Sequence, residues 1–299
     1  MTVDFHVHST ASDGTCAPAE LVAKARGFAA LALTDHDNCD GIAEFLSTST
    51  SPSPSSPHLI PGIELSIEPG EGFDKFHLLG LGIDPANAAL KAFLKRVLDG
   101  RNGRNARIIA NFRRLGITMD GVEKYAHGEV LARPHFARWL LERKYVSSVK
   151  EAFERYLLPD SPAATRCYEE RYHPSQAEAI EVVHAAGGVA VMAHPRYWCR
   201  EWKDTGCDFA KAERGLARLK ELGLDGIEAL YGANTPEENV EFTYLALKYG
   251  YLVSAGSDFH GANKPEIALG MEVSPSIIAP LLARPGLTNL KLGLTSEGH

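Results

Sequence analysis

The sequence predicts the α/β class, an incomplete (β/α) barrel carrying a helical insert. Three observations predict it. Short apolar runs alternate with amphipathic stretches along most of the 299 residues, the pattern of parallel strands joined by outer helices. Residues able to bind ions or move protons fall at or near the C-terminal ends of those runs, the active face in barrels. One segment, from about Ala86 to Pro162, shows helical periodicity without a strong strand.

The first strand, Val3 to His8, carries His6 and His8 two residues apart, so both imidazoles point to one face. A lone His-x-His fits two packed histidines as well as two metal ligands. Asp13 follows on a loop that can fold back over the same place. Pro18 to Phe28 reads as a helix with Pro in its first turn. Ala30 to Thr34 is a short apolar strand running into Asp35-His36-Asp37. A short helix follows near Gly41–Leu46. Residues Ser47 to Pro57 are almost wholly Ser, Thr and Pro, a composition that buries no core and reads as a surface loop.

His58 to Ser66 is the third strand and carries Glu64. Phe76 to Gly82 is the fourth, with His77 near its start, and Glu68–Lys75 between them reads as a hairpin-type turn. In the insert, Lys91–Leu98, Asn105–Leu115, His135–Arg143 and Val149–Leu157 show helical apolar faces. The domain division read from this is a barrel of residues 1–98 and 166–299, with an insert of 99–165 over the active site. Beyond it come a helix (Ser175–Ala186), a strand (Gly188–Ala193) ending in His194-Pro195-Arg196, and a helix (Phe209–Leu222). A strand (Asp225–Leu230), a helix (Pro236–Tyr249) and a strand (Tyr251–Gly256) ending in Ser257-Asp258-Phe259-His260 complete the alternation.

Composition is that of an ordinary globular enzyme, 44% hydrophobic and 23% charged. A net charge of −7 argues against coating long duplex nucleic acid, though local arginines can still meet a small phosphorylated ligand. No apolar run of about 18 residues occurs, so no membrane span is expected. No leader peptide is expected either. The five cysteines form no C-x-x-C pair. That usage suits a reducing compartment, so the expectation is a cytoplasmic monomer.

The rim residues are His6, His8, Asp13, His36, Glu64, His77, His194, Asp258 and His260. Imidazoles suit transition metals and carboxylates can bridge two of them. Nine donors exceed one coordination sphere and suit two or three divalent ions, with Mn2+, Fe2+ or Zn2+ as candidates.

His6-x-His8, Asp13, Thr34-Asp35-His36-Asp37, Gly62-Ile63-Glu64, His77, Ala193-His194-Pro195 and Ser257-Asp258-Phe259-His260 together resemble the PHP family, the polymerase and histidinol phosphatase family of metal-dependent phosphoesterases. The resemblance spans both ends of the chain. The insert after the fourth strand resembles that of nucleoside 3′,5′-bisphosphate phosphatases and relatives that trim short RNA from its 5′ end. It implies a distorted seven-stranded barrel of PHP type and up to three ions. By that resemblance His6, His8, Glu64 and Asp258 hold a first ion. Glu64 bridges to a second held by His77 and His194, and Asp13, His36 and His260 hold a third. Some members carry His where Asp13 stands.

The same resemblance puts Arg133, His135 and Arg196 on substrate phosphate, with Asp13, His135 and Arg196 as the catalytic group. The planar fork of Arg matches phosphate oxygens independently of any family. Arg133 also fits an exposed Arg at a helix start, and His135 a satisfied helix-start His. Between Lys91 and Arg114 eight basic residues face one acid, Asp99. Arg101 and Arg104 share a helical face there and join the substrate-binding candidates, although a solvated face explains such a run equally. Tyr168, Tyr172, Tyr197 and Trp198 are candidate base-stacking platforms, or packing residues.

The activity expected is hydrolysis of the 3′-phosphate of a nucleoside 3′,5′-bisphosphate, such as 3′-phosphoadenosine 5′-phosphate to AMP, by a metal-activated hydroxide. A 5′-to-3′ exonuclease on short RNA, a histidinol phosphate phosphatase, an amidohydrolase and a non-catalytic metal-binding regulatory domain are the alternatives.

Overall fold

The computed structural model describes residues 1–48, 55–68, 76–125, 131–199 and 206–287. The expected turn at 69–75 and the middle of the Ser/Pro-rich loop, 49–54, lie outside them. The chain forms two compact units, residues 1–91 with 174–299, and residues 92–173.

The first unit is an eight-stranded sheet. Its strands are β1 (Thr2–Val7), β2 (Ala30–Leu33), β3 (His58–Ile67), β4 (Phe76–Leu81), β5 (Val189–Met192), β6 (Gly226–Tyr231), β7 (Leu252–Gly256) and β8 (Met271–Glu272). The order is β7-β6-β5-β4-β3-β2-β1-β8. The first seven are the strands expected from the sequence. The two-residue β8, antiparallel to β1, was not legible. Backbone bonds from His8 N to Phe259 O (2.9 Å) and from Asp258 N to His6 O (2.9 Å) join the end of β1 to the segment after β7. The sheet therefore nearly closes on itself as a barrel, with the end of β1 lying beside the segment after β7.

Pairing is parallel for β1–β2, β2–β3, β5–β6 and β6–β7, and antiparallel on both sides of β4. The reversal of β4 has a consequence for the site. His77, at the start of β4, pairs with Ser66 near the end of β3, so it reaches the same rim as the C-terminal ends of the parallel strands.

Strand β1 is buried on both faces. Val3, Phe5 and Val7 are fully buried, and so are Asp4, His6 and His8 in alternation with them. With a period of two, one face is apolar and the other is a polar ladder. Asp4 is satisfied at its base, accepting from Ser257 N (3.0 Å), Ser257 Oγ (2.6 Å) and Gly270 N (2.8 Å).

The connecting helices are α1 (Pro18–Lys24), α2 (Ile42–Ser47), α6 (Gln176–Ala185), α7 (Arg196–Cys199), α8 (Phe209–Glu221), α9 (Pro236–Lys248) and α10 (Pro275–Leu282). Helices α3 (Ala88–Arg114), α4 (Arg133–Glu142) and α5 (Val149–Ala152) intervene between β4 and α6. Several starts follow capping chemistry. Thr235 accepts from Glu238 N at 3.2 Å while Thr235 N donates to Glu238 at 2.9 Å, a reciprocal cap.

The second unit is helical, with its own core of Phe112, Phe136, Trp139, Leu140 and Leu157. Each fully buried Phe there contributes about 1.5–3 kcal/mol. The sequence suggested two helices broken near Gly100 and Gly103, but α3 runs unbroken for 27 residues. At Gly100 a Cβ would stand 2.7 Å from Tyr172 Cβ. That glycine admits a close approach and does not end the helix.

Candidate metal centre

All nine rim residues read from the sequence converge in the first unit. Glu64 is their hub. It is fully buried on β3, and its two oxygens are divided among five imidazoles. Oε2 lies 3.2 Å from His6 Nε2, 3.1 Å from His8 Nε2 and 3.0 Å from His36 Nδ1. Oε1 lies 2.8 Å from His77 Nδ1 and 3.0 Å from His194 Nε2. Asp258 Oδ1 is 3.6, 3.4 and 3.4 Å from nitrogens of His6, His8 and His260. Asp13 Oδ1 is 3.2 Å from His260 Nε2 and 3.6 Å from His8 Nδ1, and its Oδ2 is 3.8 Å from His36 Nε2.

Three groups have donor atoms mutually within 4.8 Å: His6, His8 and Glu64; His36, Glu64 and His77; and His8, Asp13, His36 and His260. His8, His36 and Glu64 each occur in two of them. The fit to cations is seen in the unsatisfied atoms. His6 Nε2, His8 Nε2, His36 Nδ1 and Glu64 Oε2 are buried and make no hydrogen bond among the described residues. Buried polar atoms of native proteins are nearly always satisfied. Here four lie together, at contact distance but without hydrogen-bonding geometry, and their chemistry is that of transition-metal ligands.

The electrostatics agree. Burial alone would lower the His6 imidazole, but the carboxylates of Glu228, Glu64 and Asp258 raise it well above its ordinary value. His8, against the same burial, is pushed up to about 10 by Asp258 and Glu64. His36 is raised by Glu64 and Asp13 despite burial. Burial would raise the carboxyls, but the surrounding imidazoles hold Glu64, Asp13 and Asp258 well below the usual carboxylate range. His77 and His260 are lowered, chiefly by burial. The carboxylates thus favour positive charge at His6, His8 and His36, the sign a metal ion brings.

Backbone strain sits at the same place. His194 has φ of 28° and Asp258 φ of 60°. Non-glycine residues hold such conformations at a cost of order 1–3 kcal/mol, persisting where surroundings over-determine them.

Sequence reasoning missed a ring of supporting groups. Glu228, fully buried on β6, meets His6 Nδ1 at 3.0 Å. It is the sole charge in the run Gly226–Tyr231, a signal that was readable. Tyr231 Oη donates to Asp258 Oδ2 at 3.0 Å, and Lys264 Nζ lies 2.6 Å from the same oxygen. Asp35 accepts from Ser9 N, Ser9 Oγ and Ser12 Oγ at 2.8, 2.6 and 2.5 Å, fixing the loop that bears Asp13.

The substrate-binding candidates fall in both units. Arg196, in the first, is buried. Its Nη2 is 3.4 Å from Glu238 Oε2, and its Nε makes no hydrogen bond among the described residues. In the second unit Arg101 and Arg104 are buried. Burial, aided by Arg171, Arg133 and Arg101, pushes Arg104 down to about 9, and its Nε also lacks a hydrogen bond. Arg133 donates to Leu157 O at 3.4 Å and lies over the Tyr168 ring at 5.3 Å. Arg171 joins this cluster and was missed. His135 Nδ1 accepts from Ala132 N at 3.0 Å, so it does cap its helix. Trp198 is buried, which removes it as a stacking platform. Tyr172 and Tyr197 are exposed. In the basic run, Lys95 pairs with Asp99 and Arg107 with Glu169.

Residues 4–157 match the PHP domain. The chain is 34% identical over 289 residues to the 3′,5′-nucleoside bisphosphate phosphatase of Chromobacterium violaceum, covering 95% of this chain and 94% of the relative. It is 35% identical to a 5′-3′ exoribonuclease of Haemophilus influenzae, covering 86% and 89% of the two. A solved structure described as an amidohydrolase from Chromobacterium violaceum, with bound sulfate and no metal, superposes with a TM-score of 0.73 at 32% identity, covering 92% and 93%. Barrel, ligand-rich rim and relatives define the class as a metal-dependent phosphoesterase. The chain belongs to the PHP-domain family. Among the described residues no helix is long and apolar enough to cross a membrane.

Proposed function

We propose that the protein hydrolyses the 3′-phosphate of nucleoside 3′,5′-bisphosphates, releasing phosphate and the nucleoside 5′-phosphate. The observation that carries the phosphoesterase chemistry is Glu64, whose two oxygens face separate sets of imidazoles, as a carboxylate bridging two ions would. The similarity to the bisphosphate phosphatase along nearly the whole of both chains supports the substrate.

In this reading His6, His8, Glu64 and Asp258 hold one ion, Glu64, His77 and His194 a second, and Asp13, His36 and His260 a third. Mn2+, Fe2+ and Zn2+ all suit such donors. When bound, divalent ions supply Lewis acidity and make water a competent nucleophile at neutral pH. The remaining work falls to the chain. A water oxygen bonds to phosphorus as the bond to the 3′-oxygen breaks, and negative charge on the phosphoryl oxygens is met by Arg196, whose buried Nε is an unused donor. Asp13 would serve the reaction by helping to hold the third ion. The leaving 3′-oxygen takes the proton that the attacking water gives up. In this reading His135 donates a hydrogen bond to that oxygen: its Nδ1 accepts from Ala132 N, so the proton of the neutral ring sits on Nε2.

The 5′-phosphate, remote from the reacting centre, falls to Arg101, Arg104 and Arg133. Binding energy from that group positions the one being cleaved. The second reading, trimming of short RNA carrying a 5′-phosphate, draws on the similarity to the exoribonuclease and would use the same anchor. None of the five cysteines is in a disulfide, which fits action in the cytoplasm. A panel of 3′,5′-bisphosphates, 3′- and 5′-monophosphates, histidinol phosphate and short RNA, assayed with added Mn2+, tests the assignment. Fastest release of phosphate from the bisphosphates supports it. Fastest shortening of RNA transfers it to the exonuclease.

A further inference from the structure

Glu228 lies outside the nine-residue rim, yet it touches two of its members. Its Oε1 and Oε2 are 3.0 and 3.2 Å from His6 Nδ1. Its Oε2 also accepts the backbone N–H of His194 at 2.7 Å. One buried carboxylate on β6 thus grips a ring on β1 and a backbone amide after β5. The amide is that of a residue in the strained left-handed region, φ 28°.

The reach from β6 to β1 passes β7, which pairs with β6 and adjoins β1. At that point β7 has Gly256. A Cβ there would stand 2.1 Å from Glu228 Oε1 and 2.4 Å from His6 Cβ. Without a side chain at 256, the carboxylate has a passage to the imidazole.

We propose that Glu228 is a positioning residue of the metal centre, fixing the His6 ring with its proton on Nδ1 and holding His194 in place. The proposal rests on the metal-centre reading above. A neutral imidazole has one N–H and one lone pair, and a carboxylate only accepts. Facing Glu228, Nδ1 carries the proton. Nε2 then presents its lone pair on the side of Glu64 and Asp258, 3.2 and 3.6 Å away. Carboxylates behind ligating histidines fix ring orientation in this way and raise ligand basicity. A glutamine at 228 has nearly the same size but a single acceptor oxygen. Two donors, His6 Nδ1–H and His194 N–H, would compete for it, and its amide NH2 would face one of them.

The test compares wild-type protein with E228Q, using Zn2+ alone as the probe. Zn2+ affinity is measured by competition with a chromophoric chelator, and circular dichroism reports folding. Histidine ring 15N spectra of the loaded wild-type protein report which nitrogen of His6 meets the ion. The expected result is a protonated Nδ1 and an ion-bound Nε2 on His6, with Zn2+ binding about 10–100-fold weaker in folded E228Q. Equal affinity in the two proteins would overturn the role. So would ion-bound Nδ1 in the wild type, a result independent of how the variant folds. Failure of the wild-type protein to take up any Zn2+ would overturn the metal centre itself, and this role with it.

Discussion

His36 and Glu64 are joined twice. Their backbones form a parallel bridge between the segment after β2 and Glu64 within β3, and His36 Nδ1 lies 3.0 Å from Glu64 Oε2. The strand pairing that builds the barrel therefore also sets the distance between two of its ligands. Because Glu64 meets four further imidazoles, its replacement disturbs more than one ion position. Glu64→Gln is expected to lose at least one ion per chain by elemental analysis and to lower kcat by about 10²–10³-fold. Full metal content in an active E64Q would contradict the bridging role.

Metal uptake is expected to release protons. In the metal-free rim His8 is pushed up to about 10, so at pH 7 it holds a proton that an ion must displace, and the upward shifts of His6 and His36 act in the same direction. Affinity then rises with pH. Calorimetry in buffers of differing ionisation enthalpy reads the proton count, and zero would contradict the expectation. The sign for metal-free stability is the opposite. A raised imidazole contributes stability that is complete below about pH 6.5. That contribution is lost as pH climbs towards the folded value, so the melting temperature of the chelated protein should fall between pH 7 and 10.

Gly256→Ala places a methyl group against Glu228 and His6. Overpacking of this kind costs about 1–3 kcal/mol. The variant should show a lower denaturation midpoint and weaker metal binding together. A variant as stable as wild type, with unchanged metal affinity, would show that the passage is wider than the structure gives.

The arginines around Arg104 repel one another, and burial pushes Arg104 down to about 9. A guanidinium keeps its proton at neutral pH, so a bound anion would offset the positive charge gathered around Arg104. Inorganic phosphate should raise the melting temperature more than chloride at equal ionic strength. Arg104→Met should be less sensitive to phosphate. Equal responses of the two proteins would remove Arg104 from the anion site.

The nine rim residues were legible as a joint pattern, recurring at or near several strand ends and matching the PHP motifs, although each one alone could have been structural. Strands β1 to β7 were legible as apolar runs within a residue or two, whereas α1 ends at Lys24 and not at Phe28, and α7 and α10 were not picked out. Glu228 was not picked out, because its partner lies 222 positions away in sequence and its path exists only where β7 has a glycine. Helix α3 was split at its glycines, since a local propensity rule does not see Tyr172 packed against Gly100. Arg196 stood two residues after His194 in sequence, but its pairing with Glu238 depends on how α9 packs. The capping bond of His135 was open from the start, because Ala132 offers no side-chain cap of its own.

The proposed activity would couple a phosphate at the metal centre to a second phosphate met by arginines. The direct measurement is kcat/KM for 3′-phosphoadenosine 5′-phosphate against 3′-AMP, on wild-type enzyme and on Arg104→Ala with the same metal. The account predicts a clear preference for the bisphosphate in the wild type, expressed in kcat as well as KM, and a preference that collapses towards unity in the variant. Equal turnover of the two substrates by the wild-type enzyme would contradict it.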